Sequence, residues 1–353
     1  MRIIIVGEYM WPWYQEAFEK ALEKIGHECE SVSWFDKFWV KQNNNEIKSK
    51  GLFHKIQYRF LEGPIINKIN NQLINKVNDF KPDIIFFYNC QVISNGTLIK
   101  IKKNKSIKLC QFTNDDPFSF RKTRGIWRKF ISNIKHMHYH YIFRESNRDD
   151  FIANGASNVK LLMPYFIPEK DYPEKINKIP EHYKSDLVFA GHYENDGRLE
   201  MLEHIIKCGF SLKLYGSGWN NAIKKSNSPL KSLMPINPVV GDEYRFAING
   251  AKLCLCFLSK INNDKYTRRS FEIPAMKKIL LSEYTDEMNS IFEQDKEAIY
   301  FNNKEELLSK IKVLINDKKL RIRIEKNAYR KSYEGGHDIT SRAKEFLNFI
   351  HEN

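Results

Sequence analysis

The stretch Asp264–Met288, DKYTRRSFEIPAMKKILLSEYTDEM, decides how the rest of this chain is read. An apolar run, LCLCFL (Leu253–Leu258), comes before it, and a second short run, Ile279–Leu281, lies towards its end. Two such runs around a charged segment predict strand, loop, a helix opening at Ser270, and strand. Asp264 and Glu272 stand eight residues apart, with Arg268 and Arg269 between them. Glu272 falls in the first turn of the helix, which Ser270 or Thr267 would cap. Free backbone N–H groups at a helix start favour anions, and two adjacent cations add to that. A carboxylate beside them accepts hydrogen bonds from sugar hydroxyls, so the combination suits a nucleotide diphosphate-sugar. The bland alternative is an ordinary helix start with solvated arginines.

At 353 residues the chain is long enough for two domains. With 42% hydrophobic and 28% charged residues it reads as globular. No apolar run reaches the length of a spanning helix. MRIIIV meets Gly7 and Glu8 too soon for a secretory signal and reads as a first strand. The six cysteines are scattered, and only Cys254 and Cys256 are close, on one face of a strand. A reducing, cytoplasmic protein with no disulfide framework and no zinc site is expected. The net charge of +14 admits nucleic acid, an anionic membrane surface or a plain basic surface. The lysines are dispersed among asparagines and no nucleic-acid module signature occurs, so no nucleic-acid partner is expected.

Residues 2–34 read strand, loop, helix, strand. RIIIV is a continuous apolar run, as in a parallel strand buried on both faces, and Phe18, Leu22 and Ile25 follow at helical spacing before Gly26. The turn lacks G-x-G-x-x-G, which leaves a dinucleotide there unsupported. Glu8 stands at the carboxyl end of the strand, where ligands bind in such folds, or is a solvated loop residue. Residues 37–80 begin rich in Asn and Lys and turn helical, an insertion suited to an acceptor-side lobe. Strands follow in Asp83–Asn89 and at 107–115. Asp115 and Asp116 end the second, placed for proton transfer or forming a turn with Pro117.

Arg121–Phe143 is the most basic stretch with aromatics, and Ile126, Phe130 and Ile134 share a helix face. It reads as a solvated basic helix or, second, as an amphipathic membrane-surface helix. His136, His138 and His140 alternate as on one face of a strand edge. Pro164, Pro168, Pro173 and Pro180 mark a linker. The second half restarts the pattern: a strand ending at Gly191, a helix from Arg198 to Gly209, and a strand with Gly216 and Gly218 in its loop. A helix with Tyr244 and Phe246 then ends at Gly250, and the tail from Glu305 to Ile350 is almost all helix.

The segment Arg269, Phe271, Glu272, Pro274, Ala275, Glu283 and Tyr284 resembles the C-terminal signature of GT-B glycosyltransferases, specifically the CgeB-like, spore-maturation-type group. Asp264 and Glu272 stand where the broader family has a Glu–x7–Glu pair. The resemblance implies an α/β fold of two Rossmann-like domains facing each other across a cleft, with a C-terminal helix crossing back to the first. It implies residues 1–165 as the acceptor-side domain, 166–184 as linker, 185–335 as the nucleotide-sugar-binding domain, and 336–353 as the returning helix.

On that resemblance the donor is held by Gly191, Arg198, Gly216, Trp219, Tyr244, Arg268, Arg269, Phe271 and Glu272. Gly191 allows close backbone approach, Arg198 pairs with the diphosphate, Gly216 and Trp219 bound the base pocket, and Glu272 takes the ribose. Glu8, Asp115, Asp116 and Asp264 are the catalytic candidates, the first three facing the acceptor. The sequence holds no Asp-x-Asp triplet, so arginines rather than a metal would stabilise the leaving group, and no cofactor is expected. The implied activity is transfer from a UDP-, GDP- or TDP-sugar to a saccharide, lipid-linked or protein acceptor, in surface polysaccharide or glycoconjugate biosynthesis. A peripheral position at the inner membrane face is a further expectation. The rivals are a nucleotide-sugar-binding protein with degenerate catalysis and a nucleotide-sugar epimerase of the same fold.

Overall fold

The computed structural model describes residues 1–41, 47–119, 124–224 and 227–352. The chain forms two compact units, Met1–Met163 with Ile339–Asn353, and Pro164–Asp338. In the first unit the order is β1 Arg2–Gly7, α1 Gln15–Lys24, β2 Glu28–Ser33, α2 Phe35–Phe38, β3 Trp39–Lys41, β4 Ile47–Ser49, α3 Leu52–Phe60, α4 Pro64–Phe80, β5 Ile84–Tyr88, α5 Asn95–Ile101, β6 Lys108–Thr113, α6 Arg124–Asn133, β7 Tyr139–Ile142, α7 Arg148–Ala153 and β8 Val159–Leu161. In the second it is β9 Ser185–Ala190, α8 Arg198–Lys207, β10 Leu212–Tyr215, α9 Trp219–Lys224, α10 Asp242–Gly250, β11 Ala251–Cys256, α11 Arg269–Ala275, β12 Ile279–Glu283, α12 Asp286–Ile291, β13 Ile299–Phe301, α13 Lys304–Asn316 and α14 Lys318–Glu334. Helix α15, Ile339–Glu352, belongs to the first unit.

The two large sheets are parallel and doubly wound, and β3 and β4 form a separate antiparallel pair. The first has the order β2-β1-β5-β6-β7-β8, and the second β10-β9-β11-β12-β13. Strands buried on both faces must be apolar throughout, which is why RIIIV, IIFFY and LCLC read as unbroken runs; Ile3, Ile4, Ile5 and Val6 are fully buried. In each sheet the winding direction reverses once, between β1 and β5 and between β9 and β11. A crevice opens beyond the strand ends at such a reversal, and ligands of this architecture bind there.

Three expectations change. The apolar side of Arg121–Phe143 is not offered to a membrane: Trp127, Phe130 and Ile134 are buried in a core cluster with Phe151, and the stretch begins in residues 120–123, outside the described ones. The three histidines do not share a strand face, because residues 134–136 form a 3₁₀ turn and only His140 lies in β7. His140 is fully buried, and burial, then the neighbouring His138, push its pKa down to about 3, so it stays neutral. The Pro-rich segment 166–184 folds into the second unit: Asp171 accepts from the Ile167 N–H at 2.7 Å, and Asn249 receives the Glu174 N–H at 2.9 Å. The six cysteines are free, and among the described residues no helix is long and apolar enough to cross a membrane.

Helix α15 completes the first core. Phe346 packs against Phe86 at 4.5 Å, Tyr141 at 4.7 Å and Phe18 at 5.6 Å between ring centroids, and its carbonyl accepts the Tyr141 hydroxyl at 2.6 Å. Phe346→Ala should therefore cost about 3–5 kcal/mol, read as a lower denaturation midpoint at unchanged slope; a loss within experimental error would show that the first core stands without this helix.

Candidate functional site

In the second unit β9 and β10 end in a backbone crossing. Gly216 has φ +140°, and a Cβ placed on it would lie 2.0 Å from the Gly191 carbonyl oxygen. Only glycine fits, on both conformational and steric grounds. The same carbonyl accepts the Trp219 indole N–H at 2.8 Å, so Trp219, fully buried, fixes this crossing from inside rather than lining a base pocket.

The loop after β9 is organised around Arg198. Its guanidinium donates to both Asp196 oxygens, at 2.8 and 2.5 Å, and to the His192 carbonyl at 2.7 Å, and the residue is buried. Arg198 is thus committed to its own loop and is not presented to a diphosphate. Beside it Glu194 joins the loop after β9 to the loop after β11, bonding to His192 at 2.7 Å and accepting from the Ser259 hydroxyl at 2.8 Å. Burial alone would raise its pKa, but the bonds to His192 and Ser259 and the charge of Arg198 hold it down at about 2. The resulting ionised carboxylate sits at the sheet's reversal point.

Helix α11 opens one residue earlier than the sequence suggests, with Arg268 at the capping position and no side-chain cap. Ser270 lies inside the helix, where its hydroxyl oxygen accepts the Thr267 N–H at 3.1 Å. Seven residues make a weak dipole, so the charge here resides in Arg268 and Arg269. Arg268 makes an ion pair with Glu272 and lies 4.0 Å from Asp171. The other Glu272 oxygen accepts the Tyr244 hydroxyl at 2.7 Å. Asp171 is buried, and burial followed by the Glu272 charge pushes its pKa up to about 7. Arg269 lies 5.9 Å from the Phe189 ring, the same distance as Arg198, which sets it beside the end of β9. Phe271 is fully buried against Tyr266, Phe292 and His337, so it belongs to the core and not to a ligand surface. Asp264 lies in the β11–α11 loop, its N–H donating to the Ser259 carbonyl at 2.9 Å.

The first unit brings Glu8 and Asp115 together. They follow β1 and β6, with β5 between, at the carboxyl end of the sheet. Burial and then the Asp115 charge push the Glu8 pKa up to about 8. Burial and these same two carboxyls also raise Tyr58 of α3. A protonated acid beside a second carboxyl can give or take a proton near neutrality. Asp116 does not join them: it is buried, accepting the Phe118 N–H at 3.0 Å and the Asn147 amide at 3.1 Å, and so closes a turn.

Asp171, Glu194, Ser259 and Tyr58 were not singled out by sequence. Asp171 lay in a segment read as linker, and nothing local marks the others. Glu283, whose carboxylate accepts the Leu258 N–H at 2.7 Å, was within the quoted signature.

Residues 198–348 match the family model described as glycosyl transferase-like. No curated protein matches. Sucrose-phosphate synthase from Thermosynechococcus elongatus superposes with a TM-score of 0.71 at 8% identity, over 100% of this chain and 98% of that one. HepE from Anabaena in complex with UDP-glucose gives 0.68 at 12%, over 100% of both chains. UDP-GlcNAc 2-epimerase from Methanocaldococcus jannaschii gives 0.57 at 13%, again over 100% of both. The fold is that of GT-B glycosyltransferases, and with the family-model match it supports a transferase.

The Glu8 carboxyl makes a pH-dependent prediction. Its folded pKa lies above the ordinary carboxyl value, so the folded state holds a proton that the unfolded state has lost, and stability falls as pH rises from about 4.5 through about 8. Glu8→Gln should leave Tm unchanged near pH 4.5 and raise it near pH 8.5, by about 2–4 °C for each kcal/mol that the ionised carboxyl costs. Parallel Tm profiles for the two proteins would remove Glu8 from this role.

Proposed function

We propose that this chain is a glycosyltransferase of the CgeB-like kind that takes its sugar from a nucleotide diphosphate donor. The observation that carries the reading is Arg269 at the end of β9, next to the Gly191–Gly216 crossing, with Glu272, paired to Arg268 and hydrogen-bonded by Tyr244, in the first turn of the same helix. Tight glycine backbone admits a diphosphate, and an arginine supplies bidentate donors and permanent charge where charge develops on the leaving group. Glu272 meets the donor ribose, whose hydroxyl uses the remaining lone pairs of the oxygen that accepts from Tyr244. Arg198 and Asp196 keep the β9–α8 loop in shape, and Asp264 lies near the donor sugar. The complex of HepE with UDP-glucose favours a UDP-sugar over the GDP and TDP forms. On the acceptor side Glu8 and Asp115 handle the proton of a saccharide, lipid-linked or protein hydroxyl. We place the reaction on the cytoplasmic side of the cell, in surface polysaccharide or glycoconjugate biosynthesis.

The likeness to UDP-GlcNAc 2-epimerase keeps a second reading in play, since the same fold can return an altered nucleotide-sugar instead of transferring it. One experiment separates the readings. The protein is incubated with UDP-, GDP- and TDP-sugars in excess EDTA, and products and Tm are recorded. Transferase chemistry predicts a raised Tm with one donor, release of free nucleotide diphosphate in chelator, and at least about tenfold weaker donor binding in Glu272→Gln. Recovery of an epimeric nucleotide-sugar would establish the epimerase, and a raised Tm with no turnover would establish a binding protein. Activity lost in EDTA and restored by magnesium or manganese would overturn the arginine-based account of the leaving group.

A further inference from the structure

Helix α3 has its apolar residues on the wrong side for a core helix. Leu52, Phe53, Ile56 and Phe60 are 74%, 59%, 48% and 53% exposed. At 100° per residue they fall within an arc of about 100°. The opposite side is pinned down. Tyr58 stacks on Trp34 at 5.9 Å and packs against Phe38 at 5.4 Å and Trp39 at 5.3 Å. Buried Gln57 accepts the Ile65 N–H at 2.8 Å, fixing the turn into α4. The helix is therefore held in place by its polar and aromatic side, and its apolar side is left outward.

Cations predominate around that face. From Asp36 to Glu62 the sequence has six Lys or Arg residues and three acidic ones, of which Asp36 pairs with Lys37 and Glu62 with Arg128. Lys48, Lys50, Lys55 and Arg59 are exposed on or beside the helix. Val40 and Ile47, on the short hairpin β3–β4, extend the exposed apolar surface. The Lys41 ammonium lies 4.1 Å from the ring of Trp11, which stacks on Trp13 at 4.9 Å. Large apolar side chains flanked by cations, with tryptophans alongside, match the chemistry of an anionic bilayer, whose headgroups take the cations and whose acyl boundary takes Phe and Leu. A protein partner would need its own acidic rim around an apolar groove; a second copy of this chain would bring a like-charged one.

We propose that the α3 face, Leu52, Phe53, Ile56 and Phe60 with Lys55 and Arg59, docks this protein onto an anionic lipid surface. The docking is independent of donor chemistry. One consequence rests on the acceptor-side reading of Glu8 and Asp115: Tyr58, on the inner side of the same helix, feels the charge of both carboxyls, so a docked α3 would turn the acceptor side of the first unit towards the lipid and suit a lipid-linked acceptor.

The test is co-sedimentation of the full chain with vesicles of phosphatidylcholine alone and of phosphatidylcholine with phosphatidylglycerol. The wild type should sediment with the anionic vesicles only and be released by added salt. Phe53→Ser/Ile56→Ser and, separately, Lys55→Glu/Arg59→Glu should each bind at least about tenfold more weakly, with Tm and the donor-induced Tm rise unchanged. Wild type that ignores anionic vesicles, or variants that bind as well as wild type, would overturn the proposal. A wild-type dimer that Phe53→Ser/Ile56→Ser dissociates would overturn it in favour of a second copy. Failure of the donor-induced rise in all proteins would instead count against the glycosyltransferase reading and leave the vesicle result standing.

Discussion

The second unit depends on one guanidinium. Arg268 sits at the start of α11 between two buried carboxyl groups, paired with Glu272 and 4.0 Å from Asp171. Two carboxylates and one cation taken out of water are costly together, because desolvation outruns attraction unless the extra charge is relieved. Here the relief comes from Asp171, whose pKa burial and then the Glu272 charge push well above the ordinary carboxylate range, favouring its protonated form beside Glu272. The Tyr244 hydroxyl donates to the Glu272 oxygen that Arg268 leaves open, and the Ile167 N–H donates to the Asp171 oxygen facing Arg268. The contact gathers three separate pieces of chain: the segment after Pro164, helix α10 and helix α11. Removing Arg268 would leave two buried acids facing each other, and all three pieces would loosen.

The first unit uses burial differently. Glu8 and Asp115 meet at strand ends, where burial and then the Asp115 charge push the Glu8 pKa up to about 8. Such a group is costly above neutral pH, and that cost is a reason to look to it for proton transfer, since a structural carboxyl would be better served by a partner cation. In the second unit the corresponding strand-end carboxylate, Glu194, is held ionised near 2 by the bonds to His192 and Ser259 and by Arg198. The two units share an architecture, and their carboxyls are tuned in opposite directions by what surrounds them.

Much of the fold was legible because parallel strands buried on both faces must be continuously apolar, and RIIIV, IIFFY and LCLC are. The tail's helices were legible from period, and Gly191 and Gly216 from their position after strands. What the pattern could not carry was direction. Trp219 and Phe271 read as lining a ligand, yet both are fully buried: an aromatic after a glycine turn, or in the first turn of a helix, can face the core as readily as the ligand. Asp116 was read with Asp115 as a pair, but adjacent side chains diverge, and Asp116 closes a turn with Phe118 and Asn147. Asp171 was passed over because four prolines suggest a linker, whereas rigid extended backbone can equally be laid along a domain. Arg198 has the position of a phosphate ligand, but Asp196, two residues away, occupies its fork.

We place the donor where the Gly191–Gly216 crossing meets the start of α11. Hydrogen exchange of the full chain with and without saturating UDP tests it most directly, since bound ligand slows exchange of the amides it covers and of the elements it orders. The account predicts added protection at Gly191–His192, Gly216–Ser217 and Thr267–Glu272, with strands β9 and β11 unchanged. Protection by UDP that appears elsewhere and leaves these three segments as they were would contradict it.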